Sequence, residues 1–302
     1  MFVEDYLKEL RREGFSPAAS LRYLRRVAAR FRDDLLANPA GVRSIWTTAL
    51  VYFSADFVIA VGLALSHDRA LAYDFFLWSA VGIVVTFGMV TCGIDLLRDR
   101  NGYRLSGLNL PTLMTATRLA LLPALILFLL EGRLALALVL YVVTALSDIA
   151  DGWLARRTGQ ITPLGAVLDP FVDILFNLFT LLGLTAASIL PFWVLGIAAL
   201  RYVILIGGGI ALNLFVGPVR IRPTLFGRLT GVLLSTLVGF DVLLHVLAAP
   251  AAHGLLPITE VALGALLAAT VIHVVALGWY NLREMTRPQE TRGRVVGDIR
   301  FG

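Results

Sequence analysis

Between residues 148 and 173 the chain sets Asp148, Asp151, Gly152, Ala155, Arg156, Gly165, Asp169 and Asp173 in the spacing DxxDGxxARx8GxxxDxxxD. Ionised side chains at membrane depth are costly, so four carboxylates in an apolar sequence mark a functional site. On a helix, Asp148, Asp151, Gly152 and Ala155 stand at i, i+3, i+4 and i+7, one face, and Gly165, Asp169 and Asp173 follow at steps of four. Residues 157–161 are polar with a central Gly159, and Thr162 followed by Pro163 reads as the start of a second helix. Two antiparallel helices joined by so short a loop are expected to pack on each other and bring the four acids into one pocket. The acids would repel there unless cations balance them. Hard oxygen ligands in this number suit two ions of Mg²⁺ or Mn²⁺, and the motif lacks the His and Cys that zinc prefers. Two such ions can clamp a diphosphate and stabilise in-line displacement at phosphorus. Gly152 and Ala155 leave room for a flat base or ribose against the helix, Arg156 can grip phosphate with two parallel bonds, and Pro170 removes one backbone hydrogen bond beside the acids.

The elements that must position these residues are transmembrane helices. With 302 residues, 58% of them hydrophobic, and a mean hydropathy of +0.81, the chain is too apolar for a soluble domain. Eight apolar runs are long enough to span a bilayer core: 45–65, 75–96, 110–130, 134–154, 164–190, 192–216, 225–248 and 255–280. All but Arg69 and Arg133 among the 26 Lys and Arg fall on the side of the N-terminus. That bias places both termini and the motif loop in the cytoplasm, in a cell's inner membrane. The net charge of +5, gathered at one face, points to anionic membrane lipids as partners and away from nucleic acid. Cys92 is the single cysteine, which excludes an intrachain disulfide.

The fold class expected is all-α: a polytopic bundle with a six-helix catalytic core at 109–282, preceded by two extra transmembrane helices at 45–97. A basic cytoplasmic helical segment occupies 1–44, and a basic cytoplasmic tail 283–302. Ser16 then Pro17 reads as an N-cap and first turn. The helix that follows aligns Leu21, Leu24, Ala28, Phe31 and Leu35 on one face against Arg22, Arg25, Arg26 and Arg32. Such a helix fits either the headgroup region or a seat on the cytoplasmic loops. Asp56, in the middle of the first span, reads as a polar residue bonding a neighbouring helix, with Ser54 beside it.

The eight motif positions resemble the signature of the CDP-alcohol phosphotransferases, membrane enzymes of phospholipid synthesis, over about residues 109–280. Asn109, Pro111, Thr115 and Arg118 are similar to that family's N-P-N-x-x-T-x-x-R pattern, with Thr112 in place of its second Asn. Arg201 and the run Pro223, Thr224, Gly227, Arg228 and Thr230 resemble further family segments. The resemblance implies that Asp148, Asp151, Asp169 and Asp173 hold two Mg²⁺ or Mn²⁺ ions. It further implies that Asn109, Thr112, Thr115, Gly152, Ala155, Arg156, Thr162 and Gly165 contact CDP, and that Asp173 is the base. The substrates implied are CDP-diacylglycerol and a small alcohol phosphate, with CMP released, and the enzyme is implied to be a homodimer.

Helix-borne Arg118 followed by Pro123, together with Arg201, is closest to the phosphatidylglycerophosphate and cardiolipin synthase branch, and glycerol 3-phosphate is the expected acceptor. Its phosphate would be received by Arg118, Arg201, Arg220 or Arg228. Cardiolipin synthesis, or transfer to an inositol phosphate or another alcohol, is the alternative within the same chemistry. That branch commonly carries Lys after the last acid, where this chain has Ile174, and Gly-Lys where it has Gly227-Arg228. Outside enzymes, intramembrane acids also mark divalent-cation transporters; here the motif acids cluster toward one face, with Asp56 and Asp241 scattered along other spans.

Overall fold

The computed structural model describes residues 13–14, 16–99, 101–160, 162–215, 225–247 and 250–286, without the side chains of 155, 156, 213–215, 250–253 and 284–286. Those residues form nine α-helices, eight of them long and apolar enough to cross a membrane. Helix α1 is Pro17–Ala37, α2 Pro39–Ser66, α3 Arg69–Cys92, α4 Leu110–Leu130, α5 Leu134–Thr158, α6 Pro163–Ala186, α7 Phe192–Phe215, α8 Leu225–Leu247 and α9 Pro250–Thr286. Each of the eight apolar runs falls on one of these helices, but three helices start earlier than their runs, at Pro39, Arg69 and Pro250; the run at 75–96 ends in a short 3₁₀ turn, Ile94–Leu96, and the last helix continues to Thr286.

Local chemistry sets the helix starts. Ser16 Oγ accepts from Ala19 N at 3.2 Å, Asn38 Oδ1 from Gly41 N at 3.0 Å and Thr162 Oγ1 from Gly165 N at 3.1 Å, and each cap is followed by proline. Each pairing satisfies a first-turn N–H that has no partner within its helix. Gly159, at φ +69°, ends α5 in the left-handed conformation that side chains resist.

Helix α1 takes the second of its two expected seats. Arg104 Nη1 donates to Ala37 O at 3.0 Å and pairs with Asp34 at 3.3 Å, and Arg30 reaches Asp95 at 3.8 Å, so α1 is tied to the linker between α3 and α4. Leu21 and Leu24 are left exposed. Asp56 is buried on α2, and the polar residue facing it is Ser79 of α3; Ser54 bonds back to Leu50 O of its own helix.

Helix α4 is the centre of the bundle: 61% of its apolar window is buried, against 39% or less in every other span. It packs on α3, α5 and α6; α2 packs on α3, α6 on α7, α5 on α8, and α9 on both α7 and α8. Backbones approach most closely where Gly82 of α3 lies beside the Ala120 carbonyl and the Pro123 ring of α4. A Cβ there would overlap a carbonyl oxygen that cannot move aside. Gly82→Val is therefore expected to force α3 from α4 and destabilise the protein by about 1–3 kcal/mol, the usual cost of overpacking, read as a lower thermal unfolding midpoint in detergent.

Candidate active site

The motif helices do not pack on each other as their short connection suggested. Helices α5 and α6 each pack on α4 and stand apart, so the site is a cleft with α4 as its floor. A connection of Gly159 to Thr162 fixes where one helix ends and the next begins, but it leaves their divergence free. Helix α4 supplies a better apolar partner to both.

The four acids meet across that floor through two side chains of α4. Arg118 is 3% exposed. Its Nη1 lies 2.5 Å from Asp148 Oδ1 and 2.7 Å from Asp173 Oδ1, and its Nη2 lies 3.2 Å from Asp151 Oδ2. Thr115 Oγ1 is 2.7 Å from Asp169 Oδ1 and 3.3 Å from Asp151 Oδ2. The side chains of Asp148 and Asp173 are about half exposed, at 49% and 48%, whereas Asp151 is at 8%. Asp151 and Asp169 lie nearer the α5–α6 connection, and Asp148 and Asp173 about one turn farther from it. A planar guanidinium suits this task because its fork presents several N–H groups in fixed directions.

With all four acids ionised, one guanidinium leaves three negative charges uncompensated. Among the described residues no three His, Cys, Asp or Glu converge as a direct metal cage, and the Arg118 guanidinium sits among three of the acids. The donor set nevertheless fits a hard divalent cation in chemistry: carboxylate oxygens from two separated helices, a hydroxyl between two of them, and excess negative charge.

Further polar groups, beyond Asp151 and Asp169 toward the α5–α6 connection, come from that connection and from the start of α4. Asn109 Nδ2 donates to Gln160 O at 2.6 Å, while Asn109 Oδ1 and Thr112 Oγ1 are buried without a hydrogen-bond partner. Gly165 comes so near that a Cβ on it would lie 3.4 Å from Thr112 Oγ1. Counting back from Arg118, the pattern's first Asn falls at Leu110; Asn109 is one residue out of register and stands as the N-cap residue of α4. Gly152 lies in the last turns of α5, one residue beyond Asp151. Ala155 and Arg156 continue α5, with side chains outside the described set, and Arg220, Pro223 and Thr224 lie outside the described residues altogether.

Arg201 is on α7 with a buried, unpartnered Nε, its Cζ 5.1 Å from the Tyr202 ring centroid. Arg228 is exposed in the first turn of α8. Tyr202 is 4% exposed and within electrostatic reach of Asp173. Sequence reasoning passed over it; its one signal was its place beside Arg201 in an apolar run.

Residues 108–276 match the sequence model of the CDP-alcohol phosphatidyltransferase family. The chain is 35% identical over 134 residues to the CDP-diacylglycerol–glycerol-3-phosphate 3-phosphatidyltransferase of Aquifex aeolicus, a match covering 42% of this chain and 72% of that one. It is 28% identical over 161 residues to a probable CMP-forming cardiolipin synthase of Drosophila melanogaster, covering 48% of this chain and 49% of the fly protein. It is also 39% identical over 92 residues to the CMP-forming cardiolipin synthase of Streptomyces coelicolor, covering 28% and 43% respectively. The chain thus spans about half or less of the length of these two synthases. No solved structure matches it.

Proposed function

The chain belongs to the CDP-alcohol phosphatidyltransferase family, and on that premise we propose that it transfers the phosphatidyl group of CDP-diacylglycerol to glycerol 3-phosphate, releasing CMP. The observation that carries the reading is the convergence of four acids from two separated helices on Arg118 and Thr115. A cleft so charged has use for a diphosphate brought in with cations, and little for an apolar ligand.

Asp148, Asp151, Asp169 and Asp173 would hold two Mg²⁺ or Mn²⁺ ions, which when bound neutralise the donor's diphosphate and polarise the phosphorus under attack. The chain's own residues do the rest. Thr115 orients Asp169, and Thr112 Oγ1 and Asn109 Oδ1 offer the nucleotide unused hydrogen-bonding atoms. The acceptor hydroxyl attacks the phosphorus that bears the diacylglycerol, its proton passes to Asp173, and the bridging P–O bond to CMP breaks. Asp173 suits the base because its side chain is half exposed within the cleft. Arg201, with an unpartnered buried Nε next to Tyr202, is placed to receive the acceptor's phosphate, and Arg118 is the second cation within the site.

The protein is a multi-pass membrane protein. We place it in the inner membrane with both termini and the cleft in the cytoplasm, since Arg and Lys gather at the motif end; anionic headgroups there would hold that face. A homodimer is the expected assembly. The names of the Drosophila and Streptomyces relatives favour a second acceptor, phosphatidylglycerol, with cardiolipin as product.

Purified protein supplied with CDP-diacylglycerol and Mg²⁺ is expected to release CMP only when glycerol 3-phosphate is added. Stimulation by phosphatidylglycerol instead would move the protein to cardiolipin synthesis. Release with an inositol phosphate alone would exclude both, and EDTA is expected to stop the reaction in every case.

A further inference from the structure

We propose that the α2–α3 hairpin, which lies outside the family-matched residues, is a rotational clamp on α4, and that Tyr52 of α2 is a positioning residue for Thr115 and Arg118. This rests on the activity proposed above, since positioning has meaning only for a reaction at those residues.

Helix α4 has two working faces. Thr115 and Arg118 lie three apart on the face toward the acids, whereas Leu113 and Thr117 fall on the opposite side of the same turn. That turn is held from behind. Thr117 Oγ1 donates to Leu113 O at 2.8 Å, so its proton is spent. The Tyr52 hydroxyl lies 2.5 Å from Thr117 Oγ1 and 3.3 Å from Leu113 O, the carbonyl that Thr117 also reaches. The Tyr52 ring is itself fixed, edge-on to Phe87 of α3 with centroids 5.1 Å apart, and Phe87 is fully buried.

A second fixed point lies farther along the helix, where Gly82 lets the α3 backbone reach the Ala120 carbonyl and Pro123. Pro123 has no N–H, so α4 lacks the bond it would make to the Leu119 carbonyl and is softened at this second contact. The hairpin thus grips α4 on both sides of Arg118. A catalytic constellation needs its groups held within about 0.5 Å and 10–20° of the productive geometry. Rotation of α4 would withdraw Thr115 from Asp169 and Arg118 from three acids together.

The test uses the full chain and three variants: Tyr52→Phe, Thr117→Val and the double. Hydrogen–deuterium exchange reads the clamp directly, with no need for turnover. Amides of residues 110–120 are expected to exchange about 10-fold faster in Tyr52→Phe, which takes the hydroxyl from both Thr117 and Leu113, less so in Thr117→Val, which leaves Tyr52 within reach of Leu113 O, and no faster in the double than in Tyr52→Phe; amides of α7 to α9 should keep the wild-type rate. CMP release should show kcat lower by about 10-fold with the donor KM within about 2-fold, the mark of misplaced groups rather than lost binding. Unchanged exchange in 110–120, exchange raised throughout the bundle, or full kcat in Tyr52→Phe would each overturn the clamp. Wild-type protein that released no CMP with any acceptor would instead remove the proposed activity, while the exchange data would still decide whether Tyr52 holds α4.

Discussion

Asp173→Asn is expected to lower kcat for CMP release by at least about 100-fold, the lower end of what a positioned general base contributes. The amide keeps the size and shape of the acid but can neither take the acceptor's proton nor supply a charged oxygen to a cation. The variant should stay folded, because Arg118 keeps Asp148 at 2.5 Å and Asp151 at 3.2 Å as partners. Half exposure of the Asp173 side chain also limits the penalty of leaving an amide there. The informative comparison is therefore activity against unfolding temperature: a large loss of the first with little change in the second. A variant within about threefold of wild type in kcat would remove Asp173 as the base.

Arg118→Met has the largest expected effect on stability. Its guanidinium is buried and touches three acids, so its loss leaves Asp148, Asp151 and Asp173 with no cation between them in metal-free buffer. Breaking a buried pair by removing one partner costs about 3–5 kcal/mol; here the lower end applies because water reaches two of the three carboxylates. The unfolding midpoint in EDTA should fall by many degrees. Mg²⁺ should then raise it more in the variant than in wild type, since a guanidinium and an added cation compete for the same oxygens and ligand binding stabilises the folded state. Arg118→Lys should recover only part of the loss, because one ammonium cannot span three carboxylates as a planar fork does. Equal Mg²⁺ responses in variant and wild type would mean that Arg118 does not share the acids' cation site.

Much of this protein is legible in one dimension because membrane helices are governed by local rules. Span length, the Ser16, Thr162 and Gly159 boundaries and the facing of Asp148 with Asp151, and of Asp169 with Asp173, all follow from period, capping and hydropathy. The short range of those rules also explains what they miss. The α5–α6 connection implied that the motif helices pack together, yet a loop constrains two ends and not two axes, and α4 takes the position between them.

The same limit applies to individual side chains. Arg118 reads in sequence as a receiver of the acceptor's phosphate. Its place among three acids depends on α4 lying against both α5 and α6, a relation among three helices that no spacing encodes. Tyr52 and Thr117 stand 65 positions apart, and neither belongs to a motif. Tyr202 is hidden among apolar neighbours until the bundle places it near Asp173. Residue types and their periodicity determined the membrane class, the spans and the chemistry available to the acids, because each depends on residues within a turn or two of one another. Tertiary packing alone decided which helix forms the floor of the cleft, which side-chain cation sits among the acids and which residues of the first two spans touch α4, because those are contacts between surfaces distant in the chain.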